Sequence, residues 1–265
     1  MDQNFHYAPD AELTIGDIAT RQIIYFDKAF EDKCAEFCQV RDISMLPDLS
    51  VLRSIHKYDR DKHKFSHTFL PPNEFKQMTI SPDRFLFADQ TLAKFQKQDL
   101  LFVVDQDVLL GIVHYSDYNK SIVYEQTYHR LFKLERGLLQ LIEMSGKFKR
   151  RNLYPKTAHM PDAPLTAWDF REEHKSLNEV LNFANDHKLI SIQNVAAVKE
   201  LRNRVAHSAD LVLQKDYGRR DLVFEKESFV DVIKGQQALT SAIRVVYNKL
   251  YFLFLARSGF AGGTD

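Results

Sequence analysis

The spacing of apolar residues changes period near residue 120, and that change limits the fold more than any single motif does. Upstream, short runs such as Leu100-Leu101-Phe102-Val103-Val104 have the length of buried strands, separated by short helical stretches. Downstream, Tyr128, Leu131, Phe132, Leu134, Leu138, Leu139, Leu141 and Ile142 recur at helical spacing until Ser145-Gly146, where glycine is a natural helix stop. Two periods call for two kinds of layer. The 265 residues are enough for two domains, which we place at residues 1–121 and 122–265. The expected class is α+β, with an α/β N-terminal half and an all-α C-terminal half. Further helical periods at residues 172–184, 190–206 and 229–255 bring the C-terminal half to a four-helix bundle.

Composition narrows the functions open to such a chain. Apolar residues make up 45% and charged residues 27%, the balance of a globular protein, and no run of about 18 apolar residues offers a membrane span. Lys plus Arg and Asp plus Glu stand at 36 each, so no overall field draws the chain onto nucleic acid, and any such contact must be local. The cluster Lys147-Phe148-Lys149-Arg150-Arg151 reads as a solvated helix end. Met1-Asp2-Gln3-Asn4 has neither the basic nor the apolar character of a leader, so a cytoplasmic location is expected. Cys34 and Cys38, four apart, share one helix face and read as reduced, buried thiols.

The N-terminal half contains a pattern that comes twice. Ile23-Ile24-Tyr25-Phe26 reads as a strand, followed by a helix with Phe30, Cys34, Phe37 and Cys38 on one face, and residues 50–68 read as a polar hairpin turning at Asp59-Arg60-Asp61. The second pass has Phe85-Leu86-Phe87 as strand, residues 91–98 as helix, residues 100–104 as strand, Asp105-Gln106-Asp107 as turn and residues 109–114 as strand. Two such units of roughly sixty residues point to internal duplication.

Leu101-Phe102-Val103-Val104-Asp105 followed by Leu110-Gly111-Ile112-Val113-His114-Tyr115-Ser116-Asp117 resembles the CBS domain, whose second hairpin strand runs through Gly-hydrophobic-hydrophobic-Thr-x-x-Asp into a helix. The resemblance implies a tandem pair holding an adenosine nucleotide. Asp117 would hold ribose hydroxyls, with Ser116 and His114 beside it, His114 standing where the family usually has Thr or Ser. A helix starting there would offer free N–H groups to a phosphate. An ordinary helix cap at Ser116 or Asp117 accounts for the same residues without a ligand. Because no comparable segment follows Met45-Leu46-Pro47, one competent site at most is expected. His63-x-x-x-His67, with His56 nearby, has a metal-ligand spacing, but Asp59, Arg60, Asp61, Lys62 and Lys64 interleave it, and a solvated loop with no metal is expected.

In the C-terminal half, Arg202-Asn203-x-x-x-His207 closes an amphipathic stretch, and Leu134-Glu135-x-x-Leu138-x-x-Leu141-Ile142 lies on the first helix. Together they resemble the HEPN superfamily of small helical bundles, many of them ribonucleases. The resemblance implies a metal-independent endoribonuclease with Arg202, His207, Asn203 and Glu135 as site residues, acting as a homodimer with the two motifs facing each other. It further implies a toxin or phage-defence effector, regulated by the nucleotide and restrained by an inhibitory partner. The residue types suit the chemistry: His accepts or gives a proton near neutrality, and Arg grips a phosphate through two parallel hydrogen bonds. At 100° per residue, however, His207 lies about 140° from Arg202 on one helix. Either the helix ends before His207 or a second chain completes the site. The alternative function is a non-catalytic, nucleotide-responsive scaffold in which these residues brace the bundle. Tyr217, Arg219 and Arg220 form a polar loop, and the apolar last helix, with Val246, Leu250, Tyr251 and Phe254, is expected to supply core and dimer contact.

Overall fold

The computed structural model describes residues 12–40, 43–48, 51–153, 162–207, 210–212, 214–216 and 222–258. The polar loop carrying Tyr217, Arg219 and Arg220 lies outside them, as do the residues beyond Ser258. The fold is mixed α and β, with small sheets and helices in the N-terminal part and a mostly helical C-terminal part. Two compact units divide the chain: Met1–Val123 with Val212–Val230, and Tyr124–Leu211 with Asp231–Asp265.

The first unit holds helices α1 (Ile15–Ile18) and α2 (Glu31–Val40), then strands β1 (Met45–Pro47), β2 (Ser54–Asp59) and β3 (Lys64–Phe69). They are followed by α3 (Pro72–Met78), β4 (Thr79–Ile80), α4 (Asp89–Lys97), β5 (Leu100–Asp105) and β6 (Val108–His114). The sheet β1-β2-β3 is antiparallel throughout, whereas in β4-β5-β6 the first pair is parallel and the second antiparallel. Strand alternation sorts β2 between two cores. Tyr58 packs with Cys34, Cys38 and Leu46 on one face, and Ile55 packs with Leu70, Met78 and Phe102 on the other. Both cysteines are buried and unpaired, as their spacing indicates, and burial pushes the Cys38 thiol up to about 11. Gln106 and Asp107 both take left-handed backbone, the geometry of a two-residue hairpin turn whose twist matches its strands.

Two expected strands are absent, for reasons visible in their partners. At Ile23 to Phe26 only the Phe26 N–H finds a strand, donating to the Pro47 carbonyl at 3.0 Å. Proline has no N–H to return, so the ladder stops there. Along Phe85-Leu86-Phe87 side chains take the carbonyls, Thr91 Oγ1 bonding that of Phe85 at 2.9 Å and Tyr118 Oη that of Leu86 at 2.8 Å. The parallel partner of β5 is instead Thr79-Ile80. The two halves of the sequence pattern therefore do not share one strand order.

The C-terminal part comprises α5 (Ser121–Ser145), α6 (Arg150–Leu153), α7 (Ala167–Glu172), α8 (Leu177–Asp186), α9 (Val195–Ala206) and α10 (Lys226–Arg257), with a short antiparallel pair β7 (Gln214–Asp216) and β8 (Leu222–Phe224) before the last. The expected helix over 172–184 is split, because His174 is left-handed and Ser176 starts a new helix through a capping box with Glu179. Helix α9 likewise begins at Val195 and not near residue 190, since Asn194 is left-handed. Leu131, Leu134, Leu138, Leu139, Leu141 and Ile142 are buried as their spacing indicates, whereas Tyr128 and Phe132 remain more than half exposed, at 55% and 52%.

Helices α5 and α10 approach closely at Gly137, where a Cβ would stand 2.9 Å from Val246 Cγ1. A buried polar network fixes their register. Gln236, with no exposed surface, donates to Thr127 Oγ1 at 2.8 Å and accepts from Arg130 Nη1 at 2.7 Å. Such a network is worth having only when every member is satisfied, which is the case for this Gln236 amide. No helix among the described residues is long and apolar enough to cross a membrane.

Candidate functional site

Arg202, Asn203 and His207 stand at the end of α9, yet the chain uses them differently. Val198, Leu201, Arg204 and Val205 are the residues of α9 that face inward. Arg204 is buried, and its guanidinium bonds the Leu211 carbonyl at 2.6 Å and Glu200 Oε1 at 3.1 Å. Arg202 is half-buried, with a hydrogen bond to the Asn203 side chain at 3.4 Å among the described residues. Helix α9 ends at Ala206, so the helix does stop before His207. The His207 N–H still closes the last turn onto the Asn203 carbonyl at 3.0 Å, and the imidazole is exposed. Among the described residues no hydrogen bond or ion pair joins Arg202, Glu135 and His207 to one another.

Glu135, on α5, is half-buried. Burial raises its carboxyl above the usual carboxylate range, while the charges of Arg202 and Arg171 pull it down. Burial wins, so the group holds its proton to higher pH than a free glutamate. A carboxyl tuned upward beside arginines has the makings of a proton donor next to an anion grip. Arg171, exposed on α7, is the member of this group that the sequence reading missed. No periodicity signal distinguishes it, because its relevance comes from helix packing and not from motif spacing.

His114, Ser116 and Asp117 meet at the end of β6, bonded to one another. Asp117 Oδ2 accepts from the His114 N–H at 2.7 Å and Oδ1 pairs with Lys120 Nζ at 2.9 Å. The His114 ring accepts from the Ser116 N–H at 3.2 Å and lies 2.8 Å from Ser116 Oγ. This is a reciprocal cap on the five-residue 3-10 turn Tyr115–Asn119, which α5 follows. Burial lowers the His114 pKa and the Asp117 charge opposes that shift. Gly111 also has a local reason to be glycine, because a Cβ would stand 2.9 Å from the Thr20 carbonyl oxygen.

A second cluster lies on the polar hairpin expected over residues 50–68, at histidines whose spacing reads from sequence as a solvated loop with no metal. Strands β2 and β3 put His56 directly opposite His67. His56 Nε2 is 3.7 Å from Asp48 Oδ2, and Ser54 Oγ lies 2.7 Å from His67 Nε2 and 3.3 Å from Asp48 Oδ2. The Phe26 ring stacks on His56 at 3.9 Å. Burial, then the neighbouring His67, lowers the His56 pKa, with Asp48 acting in the opposite sense. His63, half of the suspected metal spacing, sits in the turn with a left-handed backbone, its Nδ1 2.7 Å from Gln39 Nε2. The signal that could have found the pair is hairpin register: with a turn at 60–63, residues 56 and 67 must face each other.

Comparison with family models, with curated proteins and with solved structures finds no match for this chain.

Proposed function

We propose that this chain is a metal-independent endoribonuclease of the HEPN type, acting as a homodimer through Arg202 and His207. The observation that carries the reading is the division of labour at the end of α9. Arg204 does the bracing, through the Leu211 carbonyl and Glu200, which leaves Arg202 half-buried and His207 exposed. In RNA cleavage the His207 imidazole takes the 2′-hydroxyl proton, and Arg202, with Asn203 beside it, grips the phosphate as charge develops. Glu135, whose carboxyl burial shifts above the usual carboxylate range, is suited to protonate the leaving oxygen.

Among the described residues no hydrogen bond or ion pair joins Arg202 to His207 within one chain, and the reading has a second copy complete the site. Tyr251, Phe252 and Phe254 of α10 are exposed and offer an apolar surface for that association. The role as a toxin or phage-defence effector with an inhibitory partner rests on the HEPN resemblance. For the N-terminal half, the parallel β4-β5 pair bridged by α4 and continued by β6 fits one CBS-like unit binding an adenosine nucleotide that regulates cleavage. The engaged Asp117 carboxylate would have to exchange its cap for ribose hydroxyls.

The test is cleavage of RNA by purified protein in EDTA, wild type against His207→Ala. Loss of cleavage in the variant is expected, and equal cleavage in both, or none in either, overturns the proposal. That no hydrogen bond or ion pair joins Arg202, Glu135 and His207 among the described residues favours a second reading, a non-catalytic scaffold responsive to nucleotide. It predicts no cleavage and unchanged affinity for partners in the His207 variant.

A further inference from the structure

We propose that Asp48, His56 and His67 form a binding site for a first-row divalent cation of the zinc class, in the first unit and independent of the ribonuclease reading. One donor atom from each of the three residues lies within 4.8 Å of the other two. Two imidazoles and one carboxylate are a borderline-soft donor set that suits zinc and its neighbours and not calcium or magnesium, which take oxygen cages.

The geometry requires little adjustment. A tetrahedral ion about 2.1 Å from each donor holds donors about 3.4 Å apart. The 3.7 Å between His56 Nε2 and Asp48 Oδ2 is nearly that already. The remaining closure falls to His67, whose exposed side chain sits on a strand and turns without moving the backbone. Three protein donors leave a fourth position open to water, the arrangement of reactive and not of purely structural zinc sites.

The surroundings are built as a support. His56 is held flat against Phe26 at 3.9 Å, which fixes one ligand. The buried Ser54 hydroxyl lies 3.3 Å from Asp48 Oδ2 and 2.7 Å from His67 Nε2, so one hydroxyl gathers two of the three side chains. Metal-ligating side chains are oriented by such neighbours. A serine-protease reading of Ser54 and His67 fails on the same distances, because Asp48 contacts Ser54 and His56 and so does not orient the His67 ring from behind. Cys34 and Cys38, the residues a sequence search for zinc would choose first, belong to the buried apolar cluster instead.

The experiment titrates tag-free full-length protein with cobalt chloride, followed by visible d–d absorption, and with zinc chloride, followed by calorimetry and by the rise in melting temperature. The expected result is one ion per chain in the wild type, with affinity at least about tenfold weaker in His67→Ala and in Asp48→Asn and undiminished in His63→Ala. His67 is exposed and Asp48→Asn keeps the side-chain volume, and circular dichroism of both variants without metal verifies that they fold. No ion taken up by the wild type overturns the proposal. So does equal affinity in folded His67→Ala, or a loss in His63→Ala equal to that in His67→Ala.

Discussion

Arg204 donates to the Leu211 carbonyl at 2.6 Å, tying the last turn of α9 to the chain that leaves it. The same guanidinium is buried and paired with Glu200, so its removal leaves a buried carbonyl without its donor. Arg204→Ala should therefore destabilise by roughly 2 kcal/mol. Arg202→Ala and His207→Ala, whose side chains are half-buried and exposed, should cost less than about 0.5 kcal/mol while abolishing RNA cleavage. Urea unfolding of the three variants beside their cleavage rates checks both halves, and a His207 variant as unstable as Arg204→Ala would make His207 a brace.

The two neighbours in that motif show what a sequence discloses. The stripe Val198, Leu201, Val205 was legible, because 3.6-residue periodicity reports which face is buried. That Arg204 and not Arg202 would be drawn inward was not, since both flank the stripe and the choice depends on the Leu211 carbonyl arriving from beyond the helix. Strand β5 and its turn were legible from an apolar run and an Asp-Gln-Asp corner. The strand at Ile23 was not, because its fate depended on a proline, Pro47, two dozen residues away in the partner position. The pairing of His56 with His67 was hidden for a similar reason: it is a statement about register, and helix spacing drew attention to His63 instead.

Glu135 gives a pH prediction with a definite sign. Its folded pKa is raised above the unfolded value by burial, so the folded state binds the proton more tightly and the charged form carries a penalty. Below the unfolded pKa both states are protonated and there is no penalty. As pH rises through the raised folded pKa the penalty appears in full, and stability falls. Glu135→Gln should then melt higher than wild type at pH 7 and together with it at pH 4, while losing cleavage. Equal melting at both pH values removes the burial account.

The cap at the end of β6 predicts that Asp117 matters without any nucleotide. Asp117→Ala removes the acceptor of the His114 N–H and the partner of Lys120, and should cost about 1 kcal/mol in nucleotide-free protein. Calorimetry with AMP and ATP on wild type and on this variant separates the two roles. Heat in the wild type alone supports the ribose contact, and no heat in either leaves Asp117 a cap.

His114 adds a second pH dependence. Burial depresses its folded pKa below that of a free histidine, so as pH falls through the unfolded value near 6.5 the unfolded state gains protons first. Stability should decline from there until the folded pKa is passed. His114→Asn, an uncharged side chain that retains a cap acceptor, should flatten that part of the melting profile, and an unchanged slope would place the titration elsewhere.

Gly111 makes the sharpest structural prediction because its neighbour cannot rotate away. A Cβ at that position would stand 2.9 Å from the Thr20 carbonyl oxygen and 3.3 Å from Ala19 Cβ. The Thr20 backbone is itself committed, bonding Ile112 in both directions at 2.8 and 3.1 Å. Relief therefore requires β6 and the segment through Thr20 to separate, which breaks that pair of hydrogen bonds. Gly111→Ala should cost about 1–3 kcal/mol, against the stabilisation that replacing a strand glycine otherwise brings. The loss should appear in nucleotide-free protein and be unaltered by AMP or ATP. A variant as stable as wild type that loses nucleotide heat would instead make Gly111 a ligand-contact glycine, as the CBS resemblance implies.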